Sequence, residues 1–218
     1  MNVFSIYESM QRSANLCPDD ENIKLVIRHS IRQDMGNDAA NYKAMLTREG
    51  IELAKRFGKE LDTPIGSVSS SFSQRCVDTC ESILSGNSRK IEIRRTGILQ
   101  TVQNNDDTLS EESFSKYGVE GIFNAFVEKK QLPGLNSLEF SVNKILDYIF
   151  KTGNRKNTVD IFCTHDFQAA MILLFLYENN AENRKKLFEN WIYMLEGFFI
   201  YGNRENFTLI WRGICSRH

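Results

Sequence analysis

The sequence predicts an α/β protein in which helices cover both faces of a mostly parallel central sheet. Short apolar runs, rich in β-branched residues, alternate along the chain with segments whose apolar residues recur at helical spacing. One of these runs, TVDIFC at 158–163, is almost continuously apolar, which is typical of a central strand. At 218 residues and 41% hydrophobic content, the chain can bury a sizeable core, and we expect one domain spanning 1–218.

The first half of the chain contains three of the predicted strands. They are IKLVI at 23–27, IGSVSSSF at 65–72 and KIEIRR at 90–95. A helix is expected to follow the first strand, because Thr47 is a good N-cap and apolar residues then recur at helical spacing as far as Leu61. The apolar stripe within 76–84 indicates a second helix. Cys76 and Cys80 belong to that stripe, so we interpret them as core residues and predict no metal site there.

The second half resumes the alternation with the strand at 158–163. The run FQAAMILLFLY at 167–177 is apolar nearly all round, which indicates a helix buried against the sheet and other elements. Near the end of the chain, GFFIYG at 197–202 and FTLIWRGI at 207–214 flank the turn sequence NREN and predict a hairpin.

Residues 100–155 interrupt the alternation of strands and helices. The polar, acidic stretch NNDDTLSEES at 104–113 predicts a loop, and helical patterns near 117–128 and 137–150 follow it. An insertion of this size at the ligand end of a sheet commonly forms a cap. We therefore expect a partly helical cap insertion within the single domain.

Composition limits the possible partners and the compartment. With 27 basic and 28 acidic residues the formal net charge is -1, so nothing attracts the whole chain to nucleic acid or to an anionic membrane. The first residues lack the pattern of a secretory leader, and no apolar run is long enough to span a bilayer. Five scattered cysteines, an odd number, fit reduced thiols. These features predict a cytoplasmic protein that binds neither nucleic acid nor membrane.

Two of the three histidines follow predicted strands. His29 follows the first strand and His165 follows the fourth, while Arg75 lies just past the second strand in the first turn of a helix. Ligands bind open α/β sheets at the carboxyl ends of the strands, so we expect these side chains to meet at one rim.

Arginines surround this rim. Arg28 precedes His29 and Arg32 follows it, and Arg75 would place a third guanidinium near a helix N-terminus, where a cation is unfavourable unless an anion is present. Three crowded guanidinium groups would repel one another, and a bound phosphate would relieve that repulsion. For any one arginine alone, a surface ion pair is the simpler interpretation. Together with the two histidines, the three arginines predict a phosphate site.

These residues resemble the signature of the histidine phosphatase superfamily, also called phosphoglycerate mutase-like. Its Arg-His-Gly motif is matched by Arg28-His29-Ser30, its later arginine by Arg75, and its second histidine by His165. The helix sequence that begins LTREG at 46–50 is also similar to the family pattern. The resemblance extends from residue 23 to about residue 172 in the correct order, whereas the segment 100–155 carries no matching motif.

The branch of the family is mixed. Ser30 replaces the usual glycine, so either the backbone tolerates a Cβ there or the pocket is narrower. Arg32 and the His165-Asp166 pair resemble the acid phosphatase branch, although Asp34 stands where that branch has proline. The mutase-like branch uses a glutamate after the third strand, and the nearest residue here is Gln100.

The resemblance implies metal-independent hydrolysis of phosphomonoesters through a phosphohistidine on His29. In that mechanism the substrate or bound partner is a small phosphorylated molecule or phosphate, and no cofactor is needed. The implied catalytic residues are His29, His165 and Asp166, and the implied phosphate-binding residues are Arg28, Arg32 and Arg75. Asp166 is the expected general acid, with Asp106, Asp107 and Glu111 of the acidic stretch as alternatives. Two other functions stay open, namely a phosphomutase and a non-catalytic module that binds phosphate or a partner.

Overall fold

The computed structural model describes residues 1, 7–36, 43–178 and 180–218. A single sheet of seven strands runs through it, in the order β3-β2-β4-β1-β5-β6-β7. The strands are β1 (Asn22–Arg28), β2 (Ile65–Ser70), β3 (Ile93–Arg95), β4 (Thr158–Thr164), β5 (Gly197–Asn203), β6 (Asn206–Trp211) and β7 (Ile214–Arg217). The first four pair in parallel, and β5, β6 and β7 continue the sheet as an antiparallel extension. This architecture confirms the predicted fold class.

Helices cover both faces of the sheet. They are α1 (Glu8–Asn15), α2 (Arg48–Glu60), α3 (Gln74–Gly86), α4 (Asp107–Val127), α5 (Leu138–Lys151), α6 (Asp166–Leu176) and α7 (Ala181–Glu189). One hydrophobic core joins α1, α2 and α3 to one face, and a second core joins α4, α5, α6 and α7 to the other. Side chains alternate between the faces of a strand, so Leu25 of β1 belongs to the first core and Val26 to the second. In the described part of the chain, every helix is too short or too polar to span a bilayer.

Strand β4 lies between β2 and β1, and all seven of its residues are buried. This confirms the central position predicted from TVDIFC. Because β2, β4 and β1 are parallel neighbours, their carboxyl ends at Ser70, Thr164 and Arg28 lie side by side at one edge of the sheet. That edge is where the sequence places its candidate residues.

Helix α2 is fixed against the segment that follows β1. Thr47 is its N-cap, as predicted, and the Thr47 hydroxyl accepts a hydrogen bond from the Gly50 N–H at 3.0 Å. A Cβ on Gly50 would lie 2.1 Å from the Ile31 carbonyl oxygen, so only glycine allows this approach. The close packing supports the chain directly beside His29.

The acidic stretch differs from its prediction as a loop. Helix α4 already begins at Asp107, because the Asp106 side chain caps it by accepting from the Leu109 N–H at 2.9 Å. The polar residues of its first turns are mostly exposed and need no core contact. Gly118, at φ 64°, interrupts the helix and lets its second half turn toward the core.

Strands β1 and β4 carry a buried ion pair between them. Lys24 of β1 and Asp160 of β4 are paired in register, and the Lys24 Nζ lies 2.9 Å from the Asp160 Oδ2. The ammonium group also donates to the Thr152 and Gly153 carbonyls, and the Ser67 hydroxyl donates to the Asp160 Oδ1 at 2.7 Å. Burial lowers the pKa of Lys24. The pair therefore depends on this set of hydrogen bonds to remain charged.

Candidate active site

The ends of β1, β2 and β4 bring two histidine rings together. His29 directly follows β1 and His165 directly follows β4, and their ring centroids are 5.5 Å apart in an edge-on arrangement. Arg75, in the first turn of α3 after β2, places its Nη2 at 3.1 Å from the His165 Nδ1. All three side chains are buried. The rim predicted from the sequence is thus a compact cluster.

His29 is held as a neutral ring with one free nitrogen. Its Nδ1 lies 2.8 Å from the Ser30 carbonyl oxygen, which can only accept, so the Nδ1 carries the proton. Its pKa lies well below the usual histidine value, chiefly because the ring is buried, and also because His165 and Arg28 disfavour a further positive charge. The Nε2 consequently keeps its lone pair, which is the state a nucleophile needs.

We expect the His29 ring to remain neutral where ordinary histidines become protonated. In proton NMR, the His29 ring signals, assigned by their loss in a His29→Ala variant, should not shift as the pH is lowered through 6.5. The reason is that burial penalises the charged ring, so the ring takes up a second proton, on Nε2, only at lower pH. A complete titration of the signals near pH 6.5 would contradict this description of the site.

His165 is oriented from both of its nitrogens. A guanidinium can only donate, so the Nδ1 accepts from Arg75 and the Nε2 of the neutral ring carries the proton. The Nε2 lies 3.2 Å from the Ser71 hydroxyl oxygen, and the Ser71 hydroxyl also accepts from the Ser73 N–H at 3.3 Å. His165 is therefore fixed between the end of β2 and the N-terminus of α3.

Arg28 connects the cluster to its surroundings. Its Nη2 lies 2.9 Å from the Asp166 Oδ2, and its Nη1 donates to the Ile192 carbonyl at 2.5 Å. Burial lowers the pKa of Arg28; Asp166 opposes that change, whereas Arg32 and Arg75 add to it. The Arg28 Nε is buried without a hydrogen-bond partner among the described residues. Arg32 and Arg75, which are predicted to share one anion with Arg28, therefore both lie within electrostatic reach of Arg28.

Arg32 is less deeply placed than the other two arginines. It is half-buried, and its Nη1 donates to the Gln33 carbonyl at 2.8 Å. An isolated bridge pairs its backbone with Leu46, next to the N-cap of α2. Arg32 thus lies at the edge of the cluster, whereas Arg28 and Arg75 lie inside it.

Asp166 begins α6 and is held by two hydrogen bonds and an ion pair. Its Oδ1 accepts from the Phe167 N–H at 2.9 Å, its Oδ2 accepts from the Trp191 Nε1 at 3.2 Å, and the same Oδ2 forms the ion pair with Arg28. About a third of the side chain is exposed. The carboxyl group is therefore held beside the cluster at a point that solvent can reach.

Ser30 does not narrow the site. Its side chain is completely buried, its hydroxyl donates to the Gly50 carbonyl at 2.7 Å, and its N–H donates to the Thr79 hydroxyl at 3.0 Å. The Cβ therefore points toward α2 and α3. Of the two alternatives that the replacement of glycine raised, the structure fits a backbone that tolerates the Cβ.

Gln100 also contacts the site, at the start of α3. Its side-chain oxygen accepts from the Ser73 N–H at 3.0 Å. Ser73 is two residues after Ser71, which contacts His165. The alternative acids lie in a different place. Asp106 caps α4, and Asp107 and Glu111 are exposed on the first turns of that helix.

Several contacts of the site could not be recognised in the sequence. Ser71 lies at the end of the strand predicted at 65–72 and Ser73 directly follows that strand, and neither belongs to a motif. Trp191 and Ile192 lie in residues 190–196, here called the site segment, which carries no motif. Both residues contact the cluster only because the chain folds back before β5. Among the described residues there is no group of three or more histidine, cysteine or acidic side chains that could hold a metal ion.

No protein-family model and no curated protein matches the sequence. Solved structures match the fold. A phosphoglycerate mutase from Bacillus anthracis is 15% identical, with 92% of this chain and 93% of that chain covered and a TM-score of 0.55. YhfR from Bacillus stearothermophilus is 15% identical, with 89% of this chain and 98% of that chain covered and a TM-score of 0.61. A mycobacterial glucosyl-3-phosphoglycerate phosphatase is 15% identical, with 89% of this chain and 99% of that chain covered and a TM-score of 0.54.

Proposed function

Because the chain has the fold of the histidine phosphatase superfamily, we propose that it hydrolyses phosphomonoesters through a phosphohistidine on His29. One observation carries this proposal: the neutral, buried His29 presents a free Nε2 inside a cluster of arginines. A neutral imidazole is a nucleophile, and fixed positive charge is what phosphoryl transfer chiefly requires. The two features serve no common purpose in a purely structural core.

The first chemical step forms the phosphoenzyme. The His29 Nε2 attacks phosphorus in line, the P–N bond forms, and the ester P–O bond breaks as the leaving oxygen takes a proton from a general acid. The guanidinium groups of Arg28, Arg32 and Arg75 bind the non-bridging oxygens and stabilise their charge in the transition state, and the His165 Nε2–H donates to one of these oxygens in exchange for its contact with Ser71. Their positions are fixed before substrate binds, so little reorganisation is needed.

The second step returns the enzyme to its starting state. Water attacks the phosphorus, the P–N bond breaks, and inorganic phosphate leaves while the electron pair returns to the His29 Nε2. The group that served as acid in the first step is now the base that takes a proton from the attacking water. No cofactor is consumed.

We propose Asp166 as that acid and base. It lies at the cluster, its carboxyl group is partly exposed, and it contacts Arg28 directly. The alternative role is also specific: the carboxylate could serve only to hold Arg28 in place. The two roles differ in their dependence on the leaving group, since an alkoxide needs a proton when it departs whereas nitrophenolate does not.

The variant Asp166→Asn distinguishes these roles. If Asp166 is the acid, hydrolysis of alkyl phosphates should slow by about a hundredfold or more, while nitrophenyl phosphate is spared. The measurement is kcat/KM for both substrates at several pH values. Equal losses on both substrates would assign Asp166 to the positioning of Arg28, and an unchanged alkyl rate would direct attention to Asp106, Asp107 and Glu111.

We also propose that the helix α4 of the 100–155 insertion is the cap. Its Phe123 contacts Phe167, the residue after Asp166, and it also contacts Trp191. The second helix of the insertion, α5, packs in the same core as α4, so the two aromatic contacts of Phe123 are what favour α4 as the cap. For the location we propose the cytoplasm, because all five cysteines are free thiols and four of them are buried.

A phosphomutase is the second candidate, because one structural neighbour is a phosphoglycerate mutase. A mutase would keep the phosphoryl group on histidine and transfer it to a second hydroxyl of the substrate. Transfer from the isolated phosphoenzyme to an added alcohol rather than to water would support the mutase. The absence of any phosphoenzyme would instead support a module that only binds phosphate or a partner.

A panel of small phosphomonoesters tests the proposed activity. We expect hydrolysis that persists in excess chelator, since the proposed charge comes from arginines, and that is blocked by vanadate, which mimics five-coordinate phosphorus. A neighbour of this fold, the mycobacterial phosphatase, has been solved as a complex with VO3. Activity that is lost in chelator and restored by a divalent ion would contradict the mechanism.

A further inference from the structure

We propose that Trp191 is a positioning residue that orients the Asp166 carboxyl group and couples it to the cap helix α4. This inference rests on the proposed role of Asp166 as general acid. Trp191 itself is outside the cluster of histidines and arginines, and nothing in its sequence surroundings marks it.

The first observation is the hydrogen bond to Asp166. The indole nitrogen can only donate, and the Trp191 Nε1 lies 3.2 Å from the Asp166 Oδ2. The same oxygen forms an ion pair with Arg28, while the backbone N–H of Phe167 donates to the Oδ1. Donors on both oxygens restrict rotation of the carboxyl group about its terminal bond. An acid that protonates a leaving group must be held at one angle and distance, which is what these contacts provide.

The second observation is the aromatic contact between the indole and helix α4. The ring of Phe123 in α4 meets the Trp191 ring edge-on, with centroids 5.0 Å apart and an interplanar angle of 81°. Phe123 also contacts Phe167 and, in α7, Phe188. The Trp191 side chain therefore contacts both the proposed cap and the proposed acid. A displacement of α4 would change the position of the indole N–H.

The third observation is the way the site segment is anchored. The Arg212 guanidinium donates to both carboxylate oxygens of the buried Glu196, and it also donates to the Trp191 carbonyl at 3.1 Å. Ile192, the next residue, accepts from Arg28 at 2.5 Å. The backbone that carries the indole is thus held in place, and the ring itself packs against Phe123 of α4.

The variant Trp191→Phe tests the proposal, because it keeps an aromatic ring against Phe123 but removes the N–H. The probes are an alkyl phosphate and nitrophenyl phosphate, and the readout is the rate at which the phosphoenzyme forms after rapid mixing. The reaction is quenched in alkali, because phosphohistidine is unstable in acid. We expect about a tenfold slower reaction with the alkyl phosphate, the effect of one charge-assisted hydrogen bond, and less than about a twofold change with nitrophenyl phosphate.

Two further variants make the result specific. Phe188→Leu changes a neighbour of Phe123 but leaves the side chains of Trp191 and Asp166 unaltered. The rates of phosphoenzyme formation with the alkyl phosphate and with nitrophenyl phosphate should therefore both stay within about twofold of the wild type. Phe123→Leu leaves the N–H in place but removes its aromatic support, and it should slow only the alkyl phosphate, by about threefold to tenfold. This second prediction also tests the coupling to α4 if Trp191→Phe does not fold.

The outcomes separate the two levels of the proposal. If the wild type forms phosphoenzyme and Trp191→Phe slows both substrates equally, or slows neither, Trp191 does not position the acid. If Phe123→Leu has no effect, the coupling to α4 is wrong. If the wild type forms no phosphoenzyme at all, the proposed function itself fails, and the inference about Trp191 fails with it.

Discussion

Replacing His29 with alanine is expected to reduce phosphomonoester hydrolysis by at least about a thousandfold, because it removes the atom that attacks phosphorus. The fold should persist, since the His29 backbone N–H still donates to the Thr164 carbonyl and its carbonyl still accepts from Leu195. The measurement is kcat/KM for a reactive aryl phosphate, accompanied by circular dichroism to verify folding.

A matched control is available in the third histidine. His218, at the end of the sequence, stacks on Phe207 and contacts Ser216, both far along the chain from the cluster. His218→Ala should keep nearly wild-type activity. If His29→Ala turned over substrate as fast as this control, the assignment of the nucleophile would be wrong.

The largest expected effect on stability is at the buried pair of Lys24 and Asp160. Lys24→Met should lower the free energy of unfolding by about 3–5 kcal/mol, because it leaves the Asp160 carboxylate buried with no cation beside it. The hydrogen bonds donated to the Thr152 and Gly153 carbonyls are lost at the same time. Urea unfolding followed by circular dichroism measures the change.

An exposed ion pair provides the comparison for this prediction. Lys55 lies 3.1 Å from Glu52 on the surface of α2, with both side chains largely exposed. Lys55→Met should change the free energy of unfolding by no more than about 0.5 kcal/mol, because water screens such a pair. Similar losses for Lys24→Met and Lys55→Met would show that burial of the first pair contributes nothing.

The sheet was predictable where the local pattern and the tertiary environment agree. TVDIFC is almost continuously apolar because β4 is covered on both faces, and Thr47 caps α2 through a contact only three residues away. In contrast, the polar start of α4 has no apolar stripe, and its helical state depends on the Asp106 cap. Helix α1 and strand β7 are short terminal elements stabilised by neighbours, so they were not predicted.

The candidate site was predictable where its residues follow strands, and it was not predictable where its contacts come from distant parts of the chain. Arg28, His29, Arg75 and His165 each follow a strand, so topology alone brings them to one edge. The contacts that orient them come from elsewhere in the chain. Trp191 reaches Asp166 across 25 positions, and it does so through a segment with no periodicity. Such contacts depend on how the chain returns to β5, which no local pattern specifies.

The covalent intermediate tests the central claim most directly. The protein is mixed with a reactive aryl phosphate, quenched in alkali within milliseconds and digested, and the peptides are examined by mass spectrometry. The account predicts one added phosphoryl group on the peptide that contains His29, absent in His29→Ala and lost when the quenched sample is acidified. Turnover of the substrate with no phosphoryl group on His29 at any time, or with the group on another residue, would contradict the account.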